Sequence, residues 1–161
     1  MSIIIREATN ADINLLTTLV RNAFCEVAER FHLTPENCPK HPSNCTPEWF
    51  EVALAKGIRY YILEDHQTPC GCVALEHAKP DVCYLERLAV LPQFRRKGLG
   101  KALVAYVFAE ARKLEISRVE IGIIAEHIEL KEWYEKLGFV VTKEARFEHL
   151  PFRVAFMAKE I

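Results

Sequence analysis

The sequence lacks a marked excess of charge of either sign, and it lacks a long apolar run. Its 161 residues carry a formal net charge of −1, whereas general nucleic-acid-binding domains are usually clearly basic. Nowhere do about 18 apolar residues follow one another, as a membrane-spanning helix requires. The first apolar run, Ile3–Ile5, is too short for a signal peptide. We therefore expect a cytoplasmic protein with neither a nucleic acid nor a membrane as its partner.

The chain also lacks internal repeats and low-complexity tracts. Its length suffices for one well-filled core but not for two, so we expect a single domain over residues 1–161. Six cysteines without a secretion signal do not predict disulfides. Cys70, Cys72 and Cys83 lie in apolar segments, where we expect buried free thiols.

Apolar periodicity and turn residues predict an order of strand, two helices, three strands, helix, strand, helix and two strands. Thr9 or Asn10 can cap the first helix, and prolines indicate a loop over residues 32–46. The predicted strands are 3–5, 58–64, 70–77, 81–90, 118–124, 140–144 and 153–158. The predicted helices run from residues 9–10 to about 31, from 46 to about 56, from 98 to about 114, and from 130 to about 137. This order predicts an α+β or mixed α/β sheet.

A glycine-rich basic turn follows the strand Tyr84–Val90 and opens a long helix. It reads Arg95-Arg-Lys-Gly-Leu-Gly-Lys101. Glycines let main-chain N–H groups approach an anion, and the helix N-terminus adds favourable dipole charge. The side chains of Arg95, Arg96, Lys97 and Lys101 would complement phosphates. A P-loop is absent, because Arg95 and Ala102 stand where it needs glycine and serine or threonine. Leu103 stands where a dinucleotide fingerprint needs its third glycine.

Three blocks together give a more specific indication: Leu88-Ala-Val-Leu-Pro92, the turn Arg95-x-x-Gly98-x-Gly100, and Trp133-Tyr-Glu-Lys-Leu-Gly-Phe139. Their sequence and order resemble the GNAT superfamily of N-acetyltransferases over roughly residues 3–160. The resemblance implies the acyl-CoA N-acyltransferase fold, a mixed and mostly antiparallel sheet flanked by about four helices. It also implies transfer of an acetyl group from acetyl-CoA to a primary amine of a small molecule or peptide, through a ternary complex. The alternative is a non-catalytic acyl-CoA-binding domain that acts as a sensor or interaction module. No feature of the sequence decides between a monomer and a homodimer.

The same resemblance implies residues for the cofactor. Main-chain groups from Arg95 to Lys101, including Arg96, Lys97, Gly98, Leu99 and Gly100, would wrap the pyrophosphate of coenzyme A. The main chain of Leu88, Ala89 and Val90 would pair with the pantetheine arm, and an N–H there would polarise the thioester carbonyl. His127 stands where many members have asparagine; it would keep a hydrogen bond to the cofactor, or else cap a helix or face solvent.

Two residues are catalytic candidates. Tyr134 matches the tyrosine that protonates the leaving thiolate in many members, with packing in the core as the alternative. Glu86 is the first candidate for the base, because a regular strand would place it on the face of Leu88 and Val90. An ion pair with Arg87 or Arg59 is the alternative. Glu120, on the neighbouring strand, is the reserve. Gly122 occupies the position at which some members carry a catalytic glutamate, which leaves the role of the base to Glu86 or to water.

The loop over residues 32–46 holds Cys38, His41 and Cys45. Thiolate and imidazole suit zinc, but a structural site needs four ligands at established spacings, and this pattern is weak. We predict no metal. A proline-stiffened loop and a wall of the acceptor pocket stay open as alternatives. Glu148 and His149, in the connection 147–152, either meet a cationic amine or are exposed loop residues.

Overall fold

One mixed sheet and four α-helices make up residues 2–161, the part of the chain that this computed structural model describes. The strands are β1 (Ile3–Glu7), β2 (Arg59–Asp65), β3 (Thr68–Lys79), β4 (Val82–Val90), β5 (Arg118–Ile124), β6 (Val140–Arg146) and β7 (Arg153–Glu160). The helices are α1 (Ile13–Arg30), α2 (Pro47–Ala55), α3 (Leu99–Lys113) and α4 (Ile128–Lys136). The element order and the fold class expected from the sequence are confirmed.

Local sequence explains where α1 begins. Thr9 Oγ1 accepts from the Ala11 N–H, and the Asp12 carboxylate accepts from the Thr9 N–H, which forms a capping box. The capped segment is a 3-10 turn over Asn10–Asp12, so the α-helix itself starts at Ile13. Arg6 of β1 fixes this turn through two hydrogen bonds of 2.9 Å to Asp12.

The seven strands lie in the order β1-β2-β3-β4-β5-β7-β6, and only β4 and β5 run parallel. Helix α3 connects these two strands. Helices α3 and α4 pack on one face of the sheet, around the α3–α4 core that includes Leu75, Leu85 and Leu103. Helices α1 and α2 pack on the opposite face, around the α1–α2 core that includes Phe50 and Tyr60. The thiols of Cys70, Cys72 and Cys83 are free and buried, as predicted.

The two parallel strands part soon after they meet. Val82, Cys83 and Tyr84 pair with Arg118, Val119 and Glu120. Beyond Tyr84, β4 pairs only with β3, and beyond Glu120, β5 pairs only with β7. The sheet therefore has an opening between β4 and β5. Within residues 2–161, no helix is long and apolar enough to cross a membrane.

Candidate functional site

A β-bulge interrupts β4 beside the opening. Cys72 of β3 pairs with Ala89, whereas Ala74 pairs with Glu86, so β4 has one residue more than β3 over this stretch. Arg87 adopts a left-handed φ of 48° within it. The bulge reverses the alternation of side chains, because Leu88 and Val90 pack against the α3–α4 core while Glu86 lies opposite Ala74 of the α1–α2 core. The prediction that Glu86 shares a face with Leu88 and Val90 is therefore wrong.

The main chain of β4 has a free edge along the opening. The Leu91 N–H donates to Cys70 O of β3 at 2.9 Å, so alternation directs the main-chain groups of Val90 to the other edge. Ala89 faces β3 as the partner of Cys72. Among the three residues predicted to pair with the pantetheine arm, Val90 thus directs its N–H to the opening, while its carbonyl accepts from Arg95 Nε at 2.9 Å. Leu88 lines the cleft described below.

The glycine-rich turn presents a row of free donors. Among residues 2–161, the main-chain N–H groups from Arg96 to Lys101 have no acceptor, and the first helical bond runs from Ala102 to Gly98. Gly98 caps α3 with a φ of 78°, which favours glycine. A Cβ at Gly100 would lie 3.3 Å from the Trp133 indole, so this glycine also lets α3 approach α4. The turn is an anion-binding cradle in geometry.

The Arg95 side chain was predicted to complement a phosphate, but in the structure it binds other parts of the protein. Its guanidinium donates to Val90 O at 2.9 Å, to Ala23 O of α1 at 2.7 Å, and to Glu26 at 2.9 Å. The side chain thus ties the turn to β4 and α1 and is not free to complement a phosphate. Binding of coenzyme A by its main chain stays a prediction.

A cleft of about 660 Å³ occupies the opening. Because the strands part there, side chains from both faces of the sheet line it, Tyr134 from α4 on one face and Glu86 on the other. Tyr134 is buried between Trp133 and Phe139, whose rings lie 5.0 and 5.4 Å from it. Burial raises the pKa of Tyr134 above its usual range, so the phenol holds its proton at neutral pH.

Glu86 is poised to exchange a proton near neutrality. Its Oε1 is buried and has no hydrogen-bond partner among residues 2–161. Burial and, after it, the neighbouring carboxyl of Glu76 raise the pKa of Glu86 to about 7, although Arg87 acts in the opposite direction. The predicted ion pair with Arg87 is loose, at 3.9 Å.

The other predicted polar residues, Glu120 and His127, have hydrogen-bond partners within the protein. Glu120 lines the cleft, but its carboxylate accepts from Arg118 at 2.7 Å. His127 also lines the cleft, and its Nδ1 accepts from the Leu130 N–H at 3.4 Å, so it caps α4. Burial lowers the pKa of His127. Gly122 leaves space in the wall, since a Cβ there would lie 3.6 Å from Phe156 and Val154.

The loop between α1 and α2 contributes a wall of the cleft. Cys38 and His41 line it, whereas Cys45 is buried in the α1–α2 core. Burial lowers the pKa of His41 to about 4, so its imidazole is neutral at pH 7. Residues 2–161 contain no group of three His, Cys, Asp or Glu side chains that could hold a metal ion. Leu150 and Phe152 line the cleft from the connection in which Glu148 and His149 were candidates, and neither candidate is among the lining residues.

Sequence reasoning missed Arg87 as more than an ion-pair partner. The structure places its side chain on the α1–α2 face, where Nη1 donates to Tyr60 Oη at 3.1 Å and the guanidinium lies 5.6 Å from the Trp49 ring. Arg87 and Glu86 thus line the same cleft as direct neighbours. The adjacent acid and cation Glu86-Arg87, within an otherwise mostly apolar strand, were the sequence feature that could have indicated this role.

An opening in a mixed sheet, beside an anion-binding turn, is the architecture of the acyltransferase class suggested by the sequence. Residues 21–139 match the model of the acetyltransferase (GNAT) family. Because this match covers more than half of the chain, the protein belongs to that family.

Curated relatives and a solved structure agree with this assignment. The L-ornithine N5-acetyltransferase NATA1 of Arabidopsis thaliana is 38% identical over 63 residues, which are 39% of this chain and 28% of that protein. The uncharacterized N-acetyltransferase YjgM of Escherichia coli is 30% identical over 95 residues, 57% of each chain. The match thus spans less than two thirds of either relative. The structure of yncA from Salmonella typhimurium, solved with acetyl-CoA, superposes with a TM-score of 0.74 at 18% identity, covering 99% of this chain and 94% of that one. It shares the fold.

Proposed function

We propose that the protein is an acetyl-CoA-dependent N-acetyltransferase that acetylates a primary amine of a small molecule or peptide within a ternary complex. The observation that carries the proposal is the parting of β4 from β5, which lets Tyr134 and Glu86 line one cleft from opposite faces of the sheet. Membership of the GNAT family and the acetyl-CoA bound to yncA support the same reaction.

The residues fit the donor substrate. The free N–H groups from Arg96 to Lys101 would hold the pyrophosphate, and the N–H of Val90, whose carbonyl is bound by Arg95, would donate to the amide-bearing arm. Acetyl-CoA supplies an acetyl group activated as a thioester. Val90 lies beside Gly100, 3.8 Å from the position of a Cβ there, so the open edge leads directly to the turn.

In the proposed reaction, Glu86 and Tyr134 each transfer one proton. Ionised Glu86 accepts a proton from the amine, directly or through water, so that the nitrogen can attack the thioester carbon. An N–H of the β4 edge stabilises the negative charge on the carbonyl oxygen. As the new N–C bond forms and the C–S bond breaks, the Tyr134 hydroxyl donates its proton to sulfur. The products are the acetylated amine and the free thiol of coenzyme A.

Release of thiol from acetyl-CoA, measured with a broad panel of primary amines, tests the proposal. Tyr134→Phe should lower kcat by about 100-fold or more, because it removes the acid, while calorimetry gives an unchanged affinity for acetyl-CoA. Tyr106→Phe, which removes a phenol from α3, is the matched control and should keep its activity. An unchanged rate in Tyr134→Phe would remove this residue from the mechanism. Background thiol release with every amine, while coenzyme A still binds, would replace the enzyme by an acyl-CoA-binding module.

A further inference from the structure

Arg87 places a guanidinium at the cleft without a full counter-ion. The one carboxylate within 4.0 Å of it among residues 2–161 is Glu86, at 3.9 Å. Its Nη1 donates to the neutral phenol of Tyr60, and its Nε is buried with no acceptor among the described residues. The Arg87 side chain is 26% exposed, so its burial is confined to part of the guanidinium. A buried donor without an acceptor is unfavourable. The Arg87 guanidinium therefore keeps donor capacity toward the cleft that a carboxylate could satisfy.

The other charged groups of the cleft do not pair closely with Arg87. Glu120 is engaged by Arg118 at 2.7 Å. Lys40 also lines the cleft, and no carboxylate among residues 2–161 lies within ion-pair distance of it. His41 is neutral at pH 7. Of the two carboxylates that line the cleft, Glu86 and Glu120, only Glu86 is thus left to face Lys40 and Arg87.

The position of Arg87 separates it from the donor substrate. The anion-binding turn opens α3, which packs on the α3–α4 face, whereas Arg87 contacts Tyr60 and Trp49 on the α1–α2 face. The bulge brings Arg87 and Glu86, which are consecutive residues, to the same face. One small molecule can therefore reach a proton acceptor and a cation together.

We propose that the acceptor is an amino acid, a primary amine that also carries a carboxylate, and that Arg87 binds this carboxylate while Glu86 faces the amine. This assignment rests on the proposed function and specifies its substrate class. The planar guanidinium suits a carboxylate, with which it forms paired charge-assisted hydrogen bonds. Phe24, Val27 and Phe152 provide an apolar wall for the hydrocarbon part of the acceptor.

Matched pairs of acceptors test the assignment: phenylalanine with phenethylamine, leucine with isopentylamine, and ornithine with putrescine. The wild-type kcat/KM should be about 10- to 100-fold higher for at least one amino acid than for its decarboxylated partner, the range expected for a hydrogen bond between charged groups. Arg87→Gln should remove this preference by raising the KM of the amino acid, with the decarboxylated amine and acetyl-CoA little affected. Arg112→Gln, which removes an exposed charge from α3, should keep the preference.

The outcomes separate the two proposals. Equal use of both members of every pair by the wild type, or an equal loss for both in Arg87→Gln, would overturn the carboxylate site and leave the acetyltransferase intact. The wild-type comparison holds even if Arg87→Gln does not fold. If no amine is acetylated, the proposed function fails. Calorimetry with the same pairs then decides the site: amino acid binding that Arg87→Gln abolishes supports it, and an absence of binding to the wild type overturns it.

Discussion

Replacing Glu86 by glutamine should make the protein more stable in alkaline buffer relative to the wild type, although it removes the proposed base. Glu86 Oε1 is buried with no hydrogen-bond partner among residues 2–161, and the carboxyl of Glu76 lies near enough to raise its pKa. An ionised carboxylate in these surroundings is unfavourable, and the neutral amide avoids that cost.

The pKa gives the magnitude and the sign. Burial and Glu76 raise the pKa of Glu86 from 4.5 to about 7. The folded protein thus binds this proton more tightly than the unfolded chain does, so its stability falls as the pH rises from 4.5 to 7 and stays lower above pH 7. At about 1.4 kcal/mol for each tenfold change in proton affinity, the loss is at most roughly 3.5 kcal/mol. Glu86→Gln does not titrate and escapes this loss.

Urea unfolding at pH 5 and pH 8 measures the effect. The free energy of unfolding of Glu86→Gln, relative to the wild type, should increase by about 1–3 kcal/mol between the two pH values. Glu51→Gln, which removes the same charge from the exposed face of α2, should give the same difference at both. The variant should also lose about 100-fold or more in kcat/KM at pH 8. A Glu86→Gln difference that is equal at both pH values would refute the argument that Glu86 is protonated near neutrality.

Three further substitutions test the structure around the site. Gly71→Ala should lower the free energy of unfolding, measured in urea, by about 1–3 kcal/mol, because its Cβ would overlap with Ala89 O. Gly122→Ala is the control, since its Cβ would meet its neighbours at 3.6 Å, and it should change this free energy by less than about 1 kcal/mol. Equal losses in the two variants would contradict this prediction. Arg95→Lys should raise the KM for acetyl-CoA severalfold in a thiol-release assay, because it loses the bonds that position the turn; an unchanged KM would show that the turn holds its shape without them.

The order of elements could be predicted because its signals are local. The spacing of Ile13, Leu16 and Val20 gives a helical face, and the same residues pack inward in α1. Boundaries were less accurate where turn geometry decides them. Strand β3 begins at Thr68, two residues before the predicted start, because His66 and Gln67 form a tight turn with left-handed φ values of 50° and 67°.

The chemistry at β4 could not be predicted in full. Sequence alternation assumes a regular strand, but the bulge at Arg87 depends on the register between β3 and β4, which distant residues set. For this reason Glu86 was predicted on the α3–α4 face although it lies on the α1–α2 face, where it still lines the cleft. Arg87 was not predicted as a residue of the acceptor side. The cleft also depends on the point at which β5 leaves β4, which no local pattern encodes.

Amide hydrogen exchange by NMR, with and without acetyl-CoA, tests most directly whether the opening beside β4 is the donor site. Within residues 2–161, the N–H groups of Arg96 to Lys101 and of Val90 have no strand or helix partner to protect them, so their exchange should slow markedly on binding. Amides at the edge strand β6 should be unaffected. Saturable binding that leaves the exchange at Val90 and at residues 96–101 unchanged would contradict the proposed site.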